Sequence, residues 1–465
     1  MARRWWRRRV LPPGRRGRCA DGSPRRRSGG GPAPRADRHR RSATRPAGLT
    51  QAVTQRTEAA GVEGRRLFHR DFSFWYVARS ISVAGTAASA VALPLLVYRT
   101  SASPTLTAAV VGLEALPYLL FGLFAGAAAD RLPRKRMMIT ADVCCALLLA
   151  TVPVAALFDA LPSWYLLIVA FGVGCAFCWF DAAAWGTFVR IVGKPALTRA
   201  NSLIWSTEIV LEIAAPAAAG LLAAIADPTL VLAVDAATYL VSAALLAQIR
   251  TGLESGPTVA RRLRAEIAEG VQHLWRTPVL RTLTAAGFGL NVAAGGVLGL
   301  LVVHADQALG LRPEDQRLGL LYAAAAVGSL IAAVLLPRAS RWAGQGTVSI
   351  VGLVIFVAAL IGLAGTSAFT LALAGWAIWA VARLTVNANG ITVRQLLTPD
   401  ALQGRVNTTG RMLAWGGTPF GALIGGLAGD TYGVRVAYLM LAVPVVLSLA
   451  LVVASPVRGL RIAVD

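Results

Sequence analysis

Charge is the first thing this sequence lacks. Of 465 residues only 15% are Asp, Glu, Lys or Arg, against 56% hydrophobic ones. A soluble domain carries about 25% charged residues, so this chain is too apolar to clothe itself for water. Lysine is nearly missing: Lys135 and Lys194 are the only two, and the bias to Arg, Ala and Gly reads as the coding habit of a GC-rich genome. The four histidines, His39, His69, His273 and His304, show no metal-ligand spacing. Cys175 and Cys178 form a C-x-x-C inside an apolar run, with no His or second pair nearby, and read as small packing residues rather than a redox or metal pair. No G-x-x-x-x-G-K-[ST] loop is present, so ATP is not expected to power the chain. No nucleophile-and-base constellation suggests an enzyme, and strand-type alternation is absent, which excludes a β-barrel.

What is abundant is positive charge at one end. The net charge is +23, and residues 1–70 hold twenty Arg against Asp21, Asp37, Glu58 and Glu63. Residues 1–71 are low-complexity Arg/Pro/Gly/Ser and cannot pack a core. They lack the apolar centre and cleavage site of a secretory signal. They read as translated upstream sequence from an early start codon, ahead of the alternative of a basic arm drawn to anionic lipid. The remainder is only mildly basic, which excludes a nucleic-acid binder with a basic face.

From Phe72 onward the chain offers twelve apolar stretches, for each of which about 20 residues suffice to cross a bilayer. They fall near 74–98, 106–129, 137–158, 163–188, 202–225, 229–249, 283–304, 318–336, 347–365, 368–391, 408–429 and 435–455. The fold class expected is an all-α membrane protein of twelve transmembrane helices in two six-helix bundles, 72–249 and 283–465. One set of short loops carries twenty bases, among them Arg131, Arg134, Lys135 and Arg136; the opposite set carries only Arg99, Arg312, Arg317 and Arg435. Basic loops stay on the cytoplasmic side, so both termini are expected in the cytoplasm of a multi-pass plasma-membrane protein. The linker 250–282 contains an amphipathic segment, with Leu263, Ile267, Val271 and Leu274 at helical spacing. It is expected to lie along the inner membrane surface beneath both halves.

The halves echo each other. "PALTRANS…AAPAAAGLLAAIAD" parallels "DALQGRVNT…GTPFGALIGGLAGD": Pro216 precedes Asp227 by eleven residues, as Pro419 precedes Asp430. Both segments run the same way through the membrane. A parallel six-plus-six repeat belongs to transporters whose halves rock about a midplane site.

These residues resemble the major facilitator superfamily. "GAAADRLPRK", with Gly126, Asp130, Arg131, Arg134 and Lys135, is similar to that family's G-x-x-x-D-R-x-G-R-K loop, with Pro133 where a Gly is usual. The resemblance implies a cytoplasmic latch, in which the Asp and Arg hold the inner side closed, and Gly126 would permit close helix approach. "ARSISVAGTAASAVALPLLVY", "RANSL", "DAATYLVSAALL" and "LQGRVN" resemble the macrolide-efflux and enterobactin-export branch over Phe72–Arg461. That branch often has an Asp after the helix-1 Gly, where Thr86 follows Gly85 here. Its G-P-x-x-G-G packing signature is Ala215-Pro216-Ala217-Ala218-Ala219-Gly220 here, and its F-x-P-A is Phe180-Asp181-Ala182-Ala183. The resemblance implies proton-driven export of a small amphipathic compound, with no cofactor beyond the proton gradient, no metal, and a functional monomer. Its partners are the substrate, protons and the lipid bilayer.

Charges inside apolar stretches cost about 2.5–3.5 kcal/mol each. Glu114, Asp142, Asp181, Glu208, Glu212 and Asp235 all fall in the first six stretches. Asp142 and Asp235 read as structural pairs near helix ends. Glu208 and Glu212 read as functional: with Ala215 and Ala219 they form one stripe, expected to face the opposite half. Glu212 is the first proton-coupling candidate, then Glu208, Asp181 and Glu114. Arg79 and Arg383 either pair with an acid or face an anionic substrate. Asn291, Asn387 and Asn389 line a cavity or bond helix to helix, and Trp376 and Trp379, three apart, offer a stacking wall for a planar ligand. Trp75, Tyr76, Trp164, Tyr165 and Trp342 fit an interfacial belt. The function expected is proton-coupled export of a drug, macrolide or siderophore-like molecule. The alternatives are an importer or facilitator of a small solute, and a non-transporting membrane sensor of the same fold.

Overall fold

The computed structural model describes residues 67–462 apart from 130, 194, 195, 226, 252–262, 313, 314, 400 and 401. Asp130, the latch acid, therefore lies outside the described residues, as do the extension 1–66 and the first part of the linker. The side chain of Glu212 and the surroundings of Gly220 lie outside them too.

The first bundle comprises α1 (Arg70–Ser101), α2 (Pro104–Ala129), α3 (Arg134–Ala156), α4 (Ser163–Val192), α5 (Leu197–Ile225) and α6 (Pro228–Ala247). Helix starts follow the chemistry of capping: the His69 ring accepts the Phe72 N–H, and the Asp227 carboxylate accepts the Thr229 N–H just ahead of Pro228. After α7 (Leu263–Arg276) the second bundle runs α8 (Pro278–Gly299), α9 (Leu301–Gln307), α10 (Arg317–Ala343), α11 (Gln345–Gly365), α12 (Phe369–Leu397), α13 (Gln403–Trp415), α14 (Gly417–Tyr432) and α15 (Val434–Ala454).

Among the described residues ten helices are long and apolar enough to cross a membrane; α5 and the α13–α14 pair complete the expected twelve. Two stretches expected as single helices are interrupted. The seventh breaks at Leu300, behind Gly295, Gly296 and Gly299, whose backbones favour helix least. The eleventh breaks at Gly416, because Pro419 has no N–H to offer the Trp415 carbonyl.

The main contacts in one bundle have counterparts in the other. α1 packs on α5 and α6 as α8 packs on α14 and α15; α2 packs on α4 as α10 packs on α12. α3 lies against α4 and α6 as α11 lies against α12 and α15. Between the bundles, α2 meets α14 and α5 meets α10, again an equivalent pair. The parallel repeat visible in the sequence is thus a repeat of packing. Leu147, Val154, Ile168 and Leu230 are among the large apolar side chains left outside, which suits lipid and not water.

Three places deserve detail because they set the site. Gly421 lets α14 press onto α8: a Cβ there would lie 1.6 Å from the Val292 carbonyl oxygen. At the end of the bundles opposite the basic loops, Tyr98 Oη donates to Asp306 Oδ2 (2.6 Å), and Asp430 accepts from Ser103 Oγ (3.2 Å) and the Thr105 N–H (3.1 Å). The two halves are therefore bonded to each other at that end. Finally, the Gln345 side chain exchanges two hydrogen bonds with the backbone of Ile462 (3.0 and 2.8 Å), while its carbonyl accepts from Asn389 Nδ2.

α7 packs against α8 and α13. Leu274 is buried with Leu280 and Val406 of the second bundle, whereas Val271 is exposed. The side chains of Leu263 and Ile267 lie outside the described residues.

Candidate functional site

Where the bundles face each other, toward the basic end, four charged side chains and four rings come together. Arg79 stands nine residues into α1 and donates through Nε to Glu208 Oε1 of α5 at 2.9 Å. Its guanidinium carbon lies 5.8 Å from the Phe177 ring and 5.9 Å from that of Phe180, both on α4, within reach of a cation–π attraction. Arg79 Nη1 is buried and has no hydrogen-bond partner among the described residues. One residue beyond Phe180, Asp181 accepts from Arg411 Nη2 of α13 at 3.3 Å, a bond that crosses from one bundle to the other.

The rings continue the surface. Tyr118 of α2 lies 6.4 Å from Phe177 and 6.1 Å from Trp415, and Trp415 also carries the Arg411 guanidinium at 5.4 Å. Phe177 and Phe180 stack at 6.4 Å. Toward the basic end one face of α2 is open: Phe124 is 64% exposed and a Cβ at Gly122 or Gly126 would meet nothing within 4 Å, while Ala125 and Ala129 stay buried. The site thus combines paired charges, an unused guanidinium N–H and flat apolar walls. Such a surface can hold an amphipathic molecule through stacking plus one or two polar contacts.

A model of the Major Facilitator Superfamily matches residues 75–413. The chain belongs to the major facilitator superfamily. Its relatives include the multidrug efflux pump Tap of Mycolicibacterium fortuitum, 27% identical over 374 residues, covering 78% of this chain and 90% of that one. Macrolide efflux protein A of Streptococcus pyogenes is 28% identical over 181 residues, 37% of this chain and 43% of the relative. Among solved structures, the nucleoside transporter NupG superposes with a TM-score of 0.69 at 12% identity, covering 82% of this chain and 98% of that one. The protein is accordingly a multi-pass membrane transporter of small molecules and not an enzyme.

Several expectations about this transporter's site residues need correction. Trp376 and Trp379 form no cavity wall: they are 0% and 1% exposed, packed against each other (5.3 Å), His304, Tyr438 and Phe356 in the core of the second bundle. Trp75 belongs to no interfacial belt, because it is buried on Phe188 (5.2 Å); Trp164 and Trp342 are exposed. Gly126 makes no close helix approach. The α5 stripe turns into its own bundle, with Glu208 on Arg79 and Ala219 in the core with Val91 and Leu232; Ala215 and Pro216 are half-buried. Among the described residues no ion pair is formed by Asp142 or Asp235. Asp235 accepts only hydroxyl bonds, from Ser89 and Thr238, and Asp142 Oδ2 has no hydrogen-bond partner.

The remaining candidates fall as follows. Arg383 is half-buried with its guanidinium over Trp379 at 5.4 Å. Asn291 donates to its own helix at the Gly287 carbonyl (2.8 Å), and Asn389 is buried between Gln345 and Ser349. Asn387 is half-buried on α12. Of the basic loop, Arg131 is exposed, Arg134 donates to the Ala129 carbonyl (3.0 Å), and Lys135 Nζ caps the end of α6 at Ala247 O (2.7 Å) and Ile249 O (2.8 Å). These bonds lie within the first bundle. Cys178 is buried with Sγ facing the Pro117 carbonyl, and no group of three or more His, Cys, Asp or Glu is gathered for a metal among the described residues.

Sequence reasoning missed Tyr118, Phe177, Arg411 and Trp415. Arg411 is one of the twenty bases of the richer loop set, and its i, i+4 spacing to Trp415 is the available signal.

Proposed function

We propose that this transporter exports small amphipathic molecules, of the drug, macrolide or siderophore-like kind, from the cytoplasm across the plasma membrane in exchange for protons. The observation that carries the reading is the Arg79–Glu208 and Asp181–Arg411 pair of ion pairs set among Tyr118, Phe177 and Trp415. It sits between the bundles, toward the basic loops and away from the bonded end. In the proposed orientation that side is cytoplasmic, so the site is loaded from within. The Asp181–Arg411 bond joins the bundles, and a ligand that competes for Arg411 frees them to rock. Likeness to efflux pumps supports export in particular, and the Asp130 latch would close the inner side once the bundles have turned. Proton return goes through carboxyl groups of the first bundle, for which Glu212, Glu208, Asp181 and Glu114 are candidates.

Inside-out vesicles test this. With an acidic lumen, the macrolide erythromycin is expected to accumulate inside and to run down when the pH gradient is collapsed. Loss of preloaded erythromycin from the lumen under that gradient means import, gradient-independent equilibration means facilitation, and no flux of any of a panel of cationic and macrolide probes means a sensor.

A further inference from the structure

Within the first bundle, away from the paired charges, a second polar group is built with no cation in it. Asp235 is 1% exposed, seven residues into α6. Its Oδ2 accepts from Ser89 Oγ of α1 at 2.5 Å and its Oδ1 from Thr238 Oγ1 at 3.0 Å. α1 makes room for it: a Cβ on Gly85 would lie 2.1 Å from Asp235 Oδ1 and 2.3 Å from Thr238 Oγ1. One turn further along α6, the Tyr239 hydroxyl meets Thr86 Oγ1 at 2.8 Å, and Thr86 donates to the Ser82 carbonyl.

The groups facing this carboxyl make it unusual. From α1 come Gly85 and Ser89, neither titratable. From α2 comes Glu114, half-buried, for which no hydrogen bond or ion pair is found among the described residues. From α3 come Cys145 and, deeper toward the basic end, Asp142, itself 1% exposed with Oδ2 unbonded. From α6 itself comes Tyr239. The Arg79 charge reaches Asp142 but is held by Glu208. Glu208 and Asp181 are each neutralised by an Arg, whereas among the described residues no cation is paired with Asp235 or Asp142. An uncompensated carboxylate in such a place is costly, and a protonated one is not. Hydroxyl partners suit both states, since Ser89 can donate to a carboxylate or turn and accept from a carboxylic acid.

We infer that Asp235 is the proton-carrying group of this transporter, held in the Gly85–Ser89–Thr238 pocket, with Glu114 as the group through which it exchanges protons with the space between the bundles. This rests on the proton-antiport reading and assigns its coupling residue, in a position where helix 6 supplies the acid that helix 1 lacks after Gly85. Glu114 fits the exchange role because α2 presents it near Tyr322 of the second bundle, so rocking the bundles alters its surroundings first. The step is one proton bound from one side and released to the other, with no other chemistry.

Two measurements on the full-length protein test it. Infrared titration reads the carbonyl stretches of protonated buried carboxyls; one component of the wild-type band is expected to be lost in Asp235→Asn and kept in Asp142→Asn and Glu212→Gln. In inside-out vesicles, Asp235→Asn is expected to abolish pH-gradient-driven erythromycin accumulation, at least tenfold, while equilibrium erythromycin binding is unchanged. If Asp235→Asn fails to fold, Ser89→Ala serves in its place and is expected to move the midpoint of the band. A band and a driven accumulation both unaffected by these substitutions overturn the assignment while antiport stands. A band that follows Asp235 in a wild type that never accumulates erythromycin against a gradient leaves the proton site standing and overturns its coupling to export.

Discussion

Asp430, at the end of α14, accepts the backbone N–H of Thr105, so a residue of one bundle caps the first turn of a helix in the other. Ser103 supplies the local cap by accepting from the Leu106 N–H and turns its own hydroxyl proton to the same Asp430. The sequence repeat gives Asp430 a partner in Asp227, but Asp227 caps its own next helix at Thr229. One member of the repeated pair closes the molecule and the other only starts a helix.

Removing that clamp is expected to open the end. A lost cap is worth about 0.5–2 kcal/mol, a several-fold shift in a balanced two-state equilibrium. In a background with the native cysteines replaced, Asp430→Ala should speed maleimide labelling of Thr107→Cys several-fold, since Thr107 is fully buried in the closed arrangement. Unchanged labelling would mean that Tyr98–Asp306 and the α2–α14 packing hold the end without it.

The Arg79–Glu208 pair sets up an asymmetric pair of variants. Both side chains are about one-seventh exposed. Truncating one partner leaves a charge stranded, at a cost of about 3–5 kcal/mol, whereas replacing both with apolar residues is far milder. Thermal unfolding in detergent should rank Arg79→Leu well below Arg79→Leu/Glu208→Leu. Equal losses would show that the pair adds nothing beyond its packing on Phe177 and Phe180.

Orientation is open to a direct measurement. Reporters fused after Arg136 and Arg461 should register cytoplasm, and those after Ser103 and Arg312 the exterior. A single inversion would reverse the direction of transport proposed above.

Acid should weaken one tie outside the membrane. Partial burial alone would raise the Asp71 carboxyl. The hydroxyl of Thr251, the backbone N–H groups of Thr251 and Arg250, and the Arg70 charge outweigh it and hold Asp71 below its ordinary value. A lowered folded-state value means the contribution is fully present above the ordinary carboxylate range, about pH 4, and is lost as pH falls through the lowered value. Asp71→Asn should therefore lower the unfolding temperature at neutral pH and converge with the wild type in acid. A gap that persists well below that range would point to a steric effect.

The twelve stretches and their grouping were legible because bilayer length and loop charge act on composition alone. Arg79, Glu208 and Asp181 were also visible, since a charge in an apolar stretch announces itself. Which charge meets which was not legible: Asp181 joins Arg411 across 230 positions of sequence, and no spacing rule reaches that far. The tryptophans misled for the opposite reason. Trp376 and Trp379 share a helix face, but whether that face meets ligand, lipid or core depends on α11 and α15, which spacing within α12 does not contain. Asp235 reads as a structural pair from its place near a helix end, and its partners Ser89 and Thr238 carry no charge to reveal the pocket.

The bonds between Gln345 and Ile462 bear on how the protein is made. Gln345 is 2% exposed at the start of α11, yet both ends of its amide are satisfied by a backbone synthesised 117 residues later. Until residues 456–462 have been made, that amide lacks its Ile462 partner and the basic end of α11 stays unsealed, so this corner of the second bundle closes only after α15 is complete.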